Sequence, residues 1–242
     1  FQNILSGNIV KKFGKKITLN ASLSLNAFHN ESENHNYDEQ YLASGTKYQK
    51  SVLLSSGKNH SNAANISLRY DIDSKTLLNI SANGNFGQSD NQTDNTMCLY
   101  ERNVAADTLT SGTMRSNTKS NVGNYHVSAD LTRRISKAGA SITMKATLGG
   151  NSNDMENTSL SLTKFHHLRN AVGGDSLLLR NLCQQMPTRR SESRISLLYT
   201  HPLGKQLKLQ TGYGLNHEED RNTSDTYDYT IPNRPYIDSL SY

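Results

Sequence analysis

From Ile17 to Ala27 the chain alternates without a break: Ile17, Leu19, Ala21, Leu23, Leu25 and Ala27 are apolar, and Thr18, Asn20, Ser22, Ser24 and Asn26 between them are polar. A period of two places successive side chains on opposite faces of a pleated strand. The run is longer than the roughly five or six residues of an average soluble strand, and it meets the about 9–11 residues that a tilted strand needs to cross a bilayer. The pattern recurs at Ala64–Ile72, Leu78–Phe86, Gly123–Leu131 and Ala140–Leu148. It is looser at Ile195–Thr200, where Leu198 interrupts the polar side, and at Leu207–Asn216, which carries Gly212 and Gly214. Phe1, Leu5 and Ile9 suggest a weaker first strand, which makes about eight strands in four hairpins.

The connections alternate in length. Gly14-Lys15-Lys16, Asp73-Ser74-Lys75, the Ser136–Gly139 region and Gly204-Lys205 are short and built from turn formers. Between them lie long polar stretches near 30–61, 88–120, 151–192 and 218–242, rich in Asn, Ser, Asp and Thr, which read as loops. Loops of that length are unusual in a compact soluble domain. Short turns on one side with long loops on the other is the arrangement of outer-membrane barrels. The fold expected is therefore all-β: a sector of an antiparallel up-and-down transmembrane β-barrel, with residues 1–242 forming one partial barrel domain. The competing reading is a soluble β-sandwich, whose strands also alternate but whose apolar stripe must be covered by a second sheet.

Composition supports the barrel. Only 34% of the residues are hydrophobic, mean hydropathy is −0.69 and there is no Trp. Soluble domains run nearer 45–50% apolar, whereas a wall with a wet lumen needs apolar residues on one face alone. No apolar run approaches the roughly 20 residues of a membrane helix. The first residues, Phe-Gln-Asn-Ile-Leu-Ser, show neither an initiator Met nor a signal peptide, so the chain reads as an internal piece of a longer one or as a processed product. The net charge of +5 is spread over pairs such as Lys11-Lys12, Lys15-Lys16, Arg133-Arg134 and Arg189-Arg190 without interleaved aromatics. These read as solvated turns, and no nucleic-acid partner is expected.

Candidate chemistry is sparse. His166-His167, with Asp175 beyond, sits in a long stretch where adjacent side chains point apart, so no metal site is expected there. His126 projects to the polar face. Cys98 and Cys183 fall in different long stretches, and either a bridge between them or two free thiols fits an oxidising compartment. Asp175–Met186 has the composition of a short helix or of a loop with apolar anchors. Gly149-Gly150 and Gly173-Gly174 read as strand ends or turns, and Glu218-Glu219-Asp220 as a solvated loop. Phe28, Phe86, Tyr125 and Tyr213 near strand ends are candidates for interfacial aromatic girdles. No Ser/His/Asp or paired-carboxylate arrangement stands out, so no catalytic residue, cofactor or enzyme activity is expected, and the ligand-binding residues are unknown from sequence.

The turn Lys11-Lys12-Phe13-Gly14-Lys15-Lys16, followed by Ile17-Thr18-Leu19-Asn20-Ala21-Ser22-Leu23, resembles a recurring element of the Bacteroidetes outer-membrane β-barrel family, whose members are similar to TonB-dependent receptors. The tail Tyr236-Ile237-Asp238-Ser239-Leu240-Ser241-Tyr242 resembles the family's Asp-Ser-Leu-Ser stretch before a descending strand. The resemblance implies a longer protein with a plug and often a small β-sandwich extension, placed in the Gram-negative outer membrane with its long loops extracellular. It implies uptake of a bulky nutrient, energised through a TonB-type complex, with a surface lipoprotein or the nutrient itself as a further partner. The alternative is an outer-membrane or surface β protein whose long loops bind a partner or glycan without transport.

Overall fold

The alternation builds strands far longer than the sequence pattern marks. The computed structural model describes residues 1–43, 45–101, 107–204, 207–231 and 236–241, with no side-chain description for Arg169 or for 236–241. Among them are nine strands: β1 (Gln2–Phe13), β2 (Ile17–Leu42), β3 (Gly45–Asp71), β4 (Thr76–Tyr100), β5 (Thr108–Arg134), β6 (Ser141–Arg169), β7 (Asp175–Pro202), β8 (Lys208–Asp228) and the short β9 (Tyr236–Ser241). They form one antiparallel sheet in sequence order, each strand hydrogen-bonded to its chain neighbours. The up-and-down topology is the expected one, and the described residues form no second sheet. Lys205 of the expected last short turn, and Tyr242, lie outside the described residues.

Three expectations are corrected. The stretches near 30–61, 88–120 and 151–192 are not loops: apart from their tips, the described residues in them are strand, and β2 and β3 stay in register from Ile17↔Tyr70 to Leu42↔Gly45. Asp175–Met186 is the start of β7, paired from Leu177↔Lys164 to Met186↔Met155, so its apolar residues alternate across a sheet and form no helix. The chain after Glu218 likewise continues β8 and adds β9, one strand more than expected. In each case polar residues occupy strand positions on a single sheet that no second layer covers among the described residues.

Turn chemistry holds the short connections. Gly14 and Gly139 take φ values of 62° and 100°, which suit glycine. In the β3–β4 turn the Asp73 carboxylate accepts hydrogen bonds from the backbone N–H of Lys75 (2.7 Å) and Thr76 (2.8 Å) and from Thr76 Oγ1 (3.1 Å). At the opposite end, Asn170 Oδ1 accepts from Val172 N at 3.0 Å and Gly174 N at 2.9 Å.

The sheet has no packed core. Among the described residues only Ala140, Thr76, Gly57 and Gly149 are buried. Large apolar side chains stand in the open: Ile66 is 52% exposed, Leu148 49% and Ile195 55%. A soluble sandwich would bury these against a second layer.

Candidate functional site: a two-faced wall and its polar arms

Register holds from β2 to β8 except for shifts at the Leu99/Tyr100 and Phe165/Arg169 tips, and below those tips it sorts the side chains onto two faces. One rung of the first face reads Leu19, Leu68, Ile80, Ala129, Ala146, Ile195 and Leu215. The neighbouring rung of the other face reads Asn20, Ser67, Ser81, Ser128, Thr147, Arg194 and Asn216. The first face is therefore apolar beside the short turns, and the second is an Asn/Ser/Thr wall.

The apolar residues form a band of limited height. On β2 it runs from Ile17 to Ala27, which at about 3.3 Å per residue and a tilt near 40° is roughly 25 Å tall. The band also slides through the register. Traced along the rungs from β2 to β8, its lower edge drops four residues, from Ile17 to Leu209, and its upper edge drops eight, from Ala27 to Leu215. That averages about one residue per strand, and one residue per roughly 4.8 Å strand spacing corresponds to a tilt of about 35°. A level apolar belt on tilted, staggered strands is the geometry of a barrel wall.

Aromatic rings mark the upper edge of the band. Tyr125 lies over Gly150, where a Cβ would sit 2.9 Å from its ring, and Phe86 lies over Gly84 and Gly123, at 3.4 Å and 3.5 Å from a Cβ there. The glycines make room for rings that cover the backbone, a cross-strand pairing that also pins register. Tyr213 shares this face with Leu197 and Met144. Phe28 does not: its position alternates onto the polar face, opposite Asn59, so it belongs to no girdle on the apolar side. Gly149 and Gly150 likewise lie inside β6 and are not strand ends.

The polar wall is laced across strands. Asn20 Nδ2 donates to Ser67 Oγ (3.2 Å), Ser81 and Ser128 hydroxyls are 2.7 Å apart, and Ser120 Oγ donates to Asn153 Oδ1 (2.8 Å). Charge gathers on β7 and β8. Arg190 pairs with Glu218 at 2.6 Å and lies 3.8 Å from Asp220, so this part of the acidic run is ion-paired strand, not solvated loop. His126 is on this wall, as expected. It approaches Glu192 across the side-chain-free Gly149, where a Cβ would lie 3.4 Å from His126 Nδ1 and 3.0 Å from Glu192 Oε1.

Beyond the band the arms are polar on both faces. On the apolar-side face, Arg115 Nε donates to Asp94 (2.6 Å) and Arg189 pairs with Asp154 (2.7 Å), so the Arg189-Arg190 pair is not a turn. Hydrogen bonds from Arg115 and then Gln92 hold the Asp94 carboxyl below its ordinary range. Tyr37 and Tyr48 stack at 6.2 Å near the β2–β3 tip, with Lys50 5.6 Å from the Tyr37 and Tyr100 ring centres.

The arms also contain an arrangement that spacing could not reveal. Ser111 Oγ lies 3.0 Å from His166 Nε2, His166 Nδ1 lies 3.5 Å from Asp175 Oδ2, and Lys164 Nζ is 3.1 Å from that same oxygen. Serine, histidine and aspartate in this order form a proton-relay geometry. Here Lys164 shares the carboxylate, and the backbone beside Ser111 is paired into the ladder toward both Cys98 and Lys164. These contacts link β5, β6 and the start of β7. His167 does not join it. Among the described residues no group of three or more metal-ligating side chains converges.

Cys98 and Cys183 are free thiols on β4 and β7. Two strands separate them, so their Cα atoms are at least about 14 Å apart, against the roughly 7 Å limit of a disulfide. The bridge considered from sequence is excluded in this fold. Burial, with Glu156 nearby, pushes the Cys183 thiol pKa up.

No protein-family model matches the chain, and no curated protein matches its sequence. Among solved structures, it is similar to the siderophore receptor PiuA from Acinetobacter baumannii at 10% identity and a TM-score of 0.34, over 99% of this chain and 43% of the receptor. The chain thus spans less than half the length of that protein. More distant are Clostridium perfringens delta-toxin (9% identity, TM-score 0.14, covering 96% of this chain and 99% of the toxin) and the pneumolysin membrane pore complex (8%, 0.12, covering 100% and 45%).

Proposed function

We propose that this chain is a sector of an outer-membrane β-barrel receptor that takes up a bulky nutrient. One observation carries the reading: a single-layer sheet bears an apolar band about 25 Å tall that steps through the register as tilted barrel strands require. Lipid covers that band without a second sheet. In hydrocarbon each unpaired backbone N–H or C=O costs several kcal/mol, so the sheet must continue past β1 and β8 until it closes. The Asn/Ser/Thr face then lines a wet lumen, and the arms rise about 50 Å along the strand beyond the band, from Ala27 to Leu42, into the outside medium. TonB-type energising and a surface lipoprotein partner come from the family resemblance of the Lys11–Leu23 and Tyr236–Tyr242 segments.

The test is fractionation of cells expressing the intact parent protein. It is expected in the outer-membrane fraction, solubilised only by detergent, with a gel mobility that shifts on boiling. Recovery as a soluble protein with no heat shift would overturn the proposal. A second reading, surface binding without transport, draws on the two-sided polar arms. It predicts that deleting the arm tips abolishes ligand capture while the protein lacks any energy-dependent uptake.

A further inference from the structure

The polar face carries one patch that breaks its own pattern. The chain has five methionines, and Met97, Met114, Met155 and Met186 all alternate onto the polar face, with Met144 on the apolar one. Two of the four join a cluster in the arms. Three consecutive rungs place Leu99 and Phe165 on either side of Thr110, Met97 and Leu178 on either side of Gly112 and Thr163, and Leu53 and Met114 on either side of Asn95. Six large apolar side chains thus surround Gly112, whose missing side chain leaves the sheet backbone as the floor: a Cβ there would lie 3.2 Å from the Leu162 carbonyl oxygen.

Two polar groups border this patch. Asn95 Oδ1 is shut off from solvent and has no hydrogen-bond donor among the described residues, so it lies beneath the patch and not on its surface. Arg180 stands in the Met114 rung beyond Ser161; it acts on Asp228 through space and makes no close ion pair among the described residues. Thioether side chains are flexible and polarisable, and they adapt to irregular apolar shapes. We infer that this patch is a ligand subsite on the lumen wall, shaped for an amphipathic ligand whose apolar ring or chain lies over Gly112 and whose anionic group reaches Arg180. The inference rests on the barrel reading, which turns this face toward the lumen.

The experiment uses the full-length protein in lipid nanodiscs with [methyl-13C]methionine, the resonances of Met97, Met114 and Met144 assigned by single Met→Leu variants. The probe is 2-naphthoate added to the aqueous phase. The Met97 and Met114 methyls are expected to shift and saturate while Met144 stays still. Met114→Asn should weaken binding about tenfold, the scale of one lost apolar contact. Arg180→Gln should reduce naphthoate to the affinity of neutral 2-naphthylmethanol. Static Met97 and Met114 resonances would overturn the subsite, as would their protection from a soluble paramagnet, which would show the patch covered by another part of the protein. A nitroxide on the lipid tails reports separately on the barrel reading, because it broadens Met144 alone if the band lies in lipid.

Discussion

A single lysine placed on each face, and at two heights, separates the barrel wall from every soluble alternative. Val127 sits at the middle of the band on β5, in the rung of Ala82 and Leu148, and Ser128 follows it on the polar wall beside Ser81 and Thr147. Thr96 shares the face of Val127 but lies in the arm, paired with Val52 and Thr113. With a band of roughly 25 Å, Val127 is about 12 Å from either interface, where a lysine facing lipid costs about 2–4 kcal/mol. The folding equilibrium of Val127→Lys should therefore fall about 30- to 700-fold. Ser128→Lys places the same charge in the wet lumen and Thr96→Lys places it in water, so both should cost under about 1 kcal/mol. Urea titration of the intact protein refolding into vesicles reads all three. If Ser128→Lys costs as much as Val127→Lys, the assignment of faces is wrong. If Thr96→Lys does, the band has no defined height and the membrane reading fails.

Other perturbations probe the wall locally. Gly150→Val places a Cβ within 2.9 Å of the Tyr125 ring and should destabilise by about 1–3 kcal/mol in the same titration, with the penalty reduced in the Tyr125→Ala background. Asp73 has its pKa lowered by the Lys75 N–H first, with Thr76 contributing. A lowered carboxylate stabilises above its unfolded pKa and loses that support as the pH falls through the folded one. Hydrogen exchange at the Thr76 amide should therefore accelerate only below the ordinary aspartate range, and Asp73→Ala should abolish that pH dependence. Cys98 and Cys183 should each take one maleimide without reductant, and reductant should leave the gel mobility unchanged; a reductant-dependent shift traced to these two residues would contradict the strand order.

The band was legible because it obeys the strictest rule a strand has. On the membrane reading one face must be apolar where lipid is the solvent, and Ile17–Ala27 and Gly123–Leu131 announce themselves by period alone. The arms were not legible for the same reason reversed. Where water bathes both faces, alternation loses its energetic basis, and Asn30–Leu42 or Asn151–Ser159 read as loop composition although they are paired along their whole length. The helical reading of Asp175–Met186 failed because a cluster of leucines carries no face information until register divides it, sending Leu177 and Leu179 to one side and Leu178 and Leu182 to the other. Nor could spacing show that Ser111 meets His166, 55 residues away, since only the β5–β6 register joins them.

Two lengths therefore describe each strand, and they answer to different forces. On the proposed membrane reading the length of the apolar band answers to bilayer thickness, and it ends near Ala27, Ala64, Phe86 and Gly123 whatever the strand does next. The length of the strand is set by cross-strand pairing, which continues because neighbouring arms supply each other's hydrogen-bond partners and ion pairs such as Arg115–Asp94 and Arg189–Asp154. Exposed pairs of this kind contribute about 0–1 kcal/mol each, so their role in the arms is chiefly to fix register. A wall held in register that far above the band can carry a surface with defined rungs. That is why the apolar cluster around Gly112 is meaningful: in a flexible loop six such side chains would collapse on one another, whereas on a paired sheet they are held apart and share one face as a group.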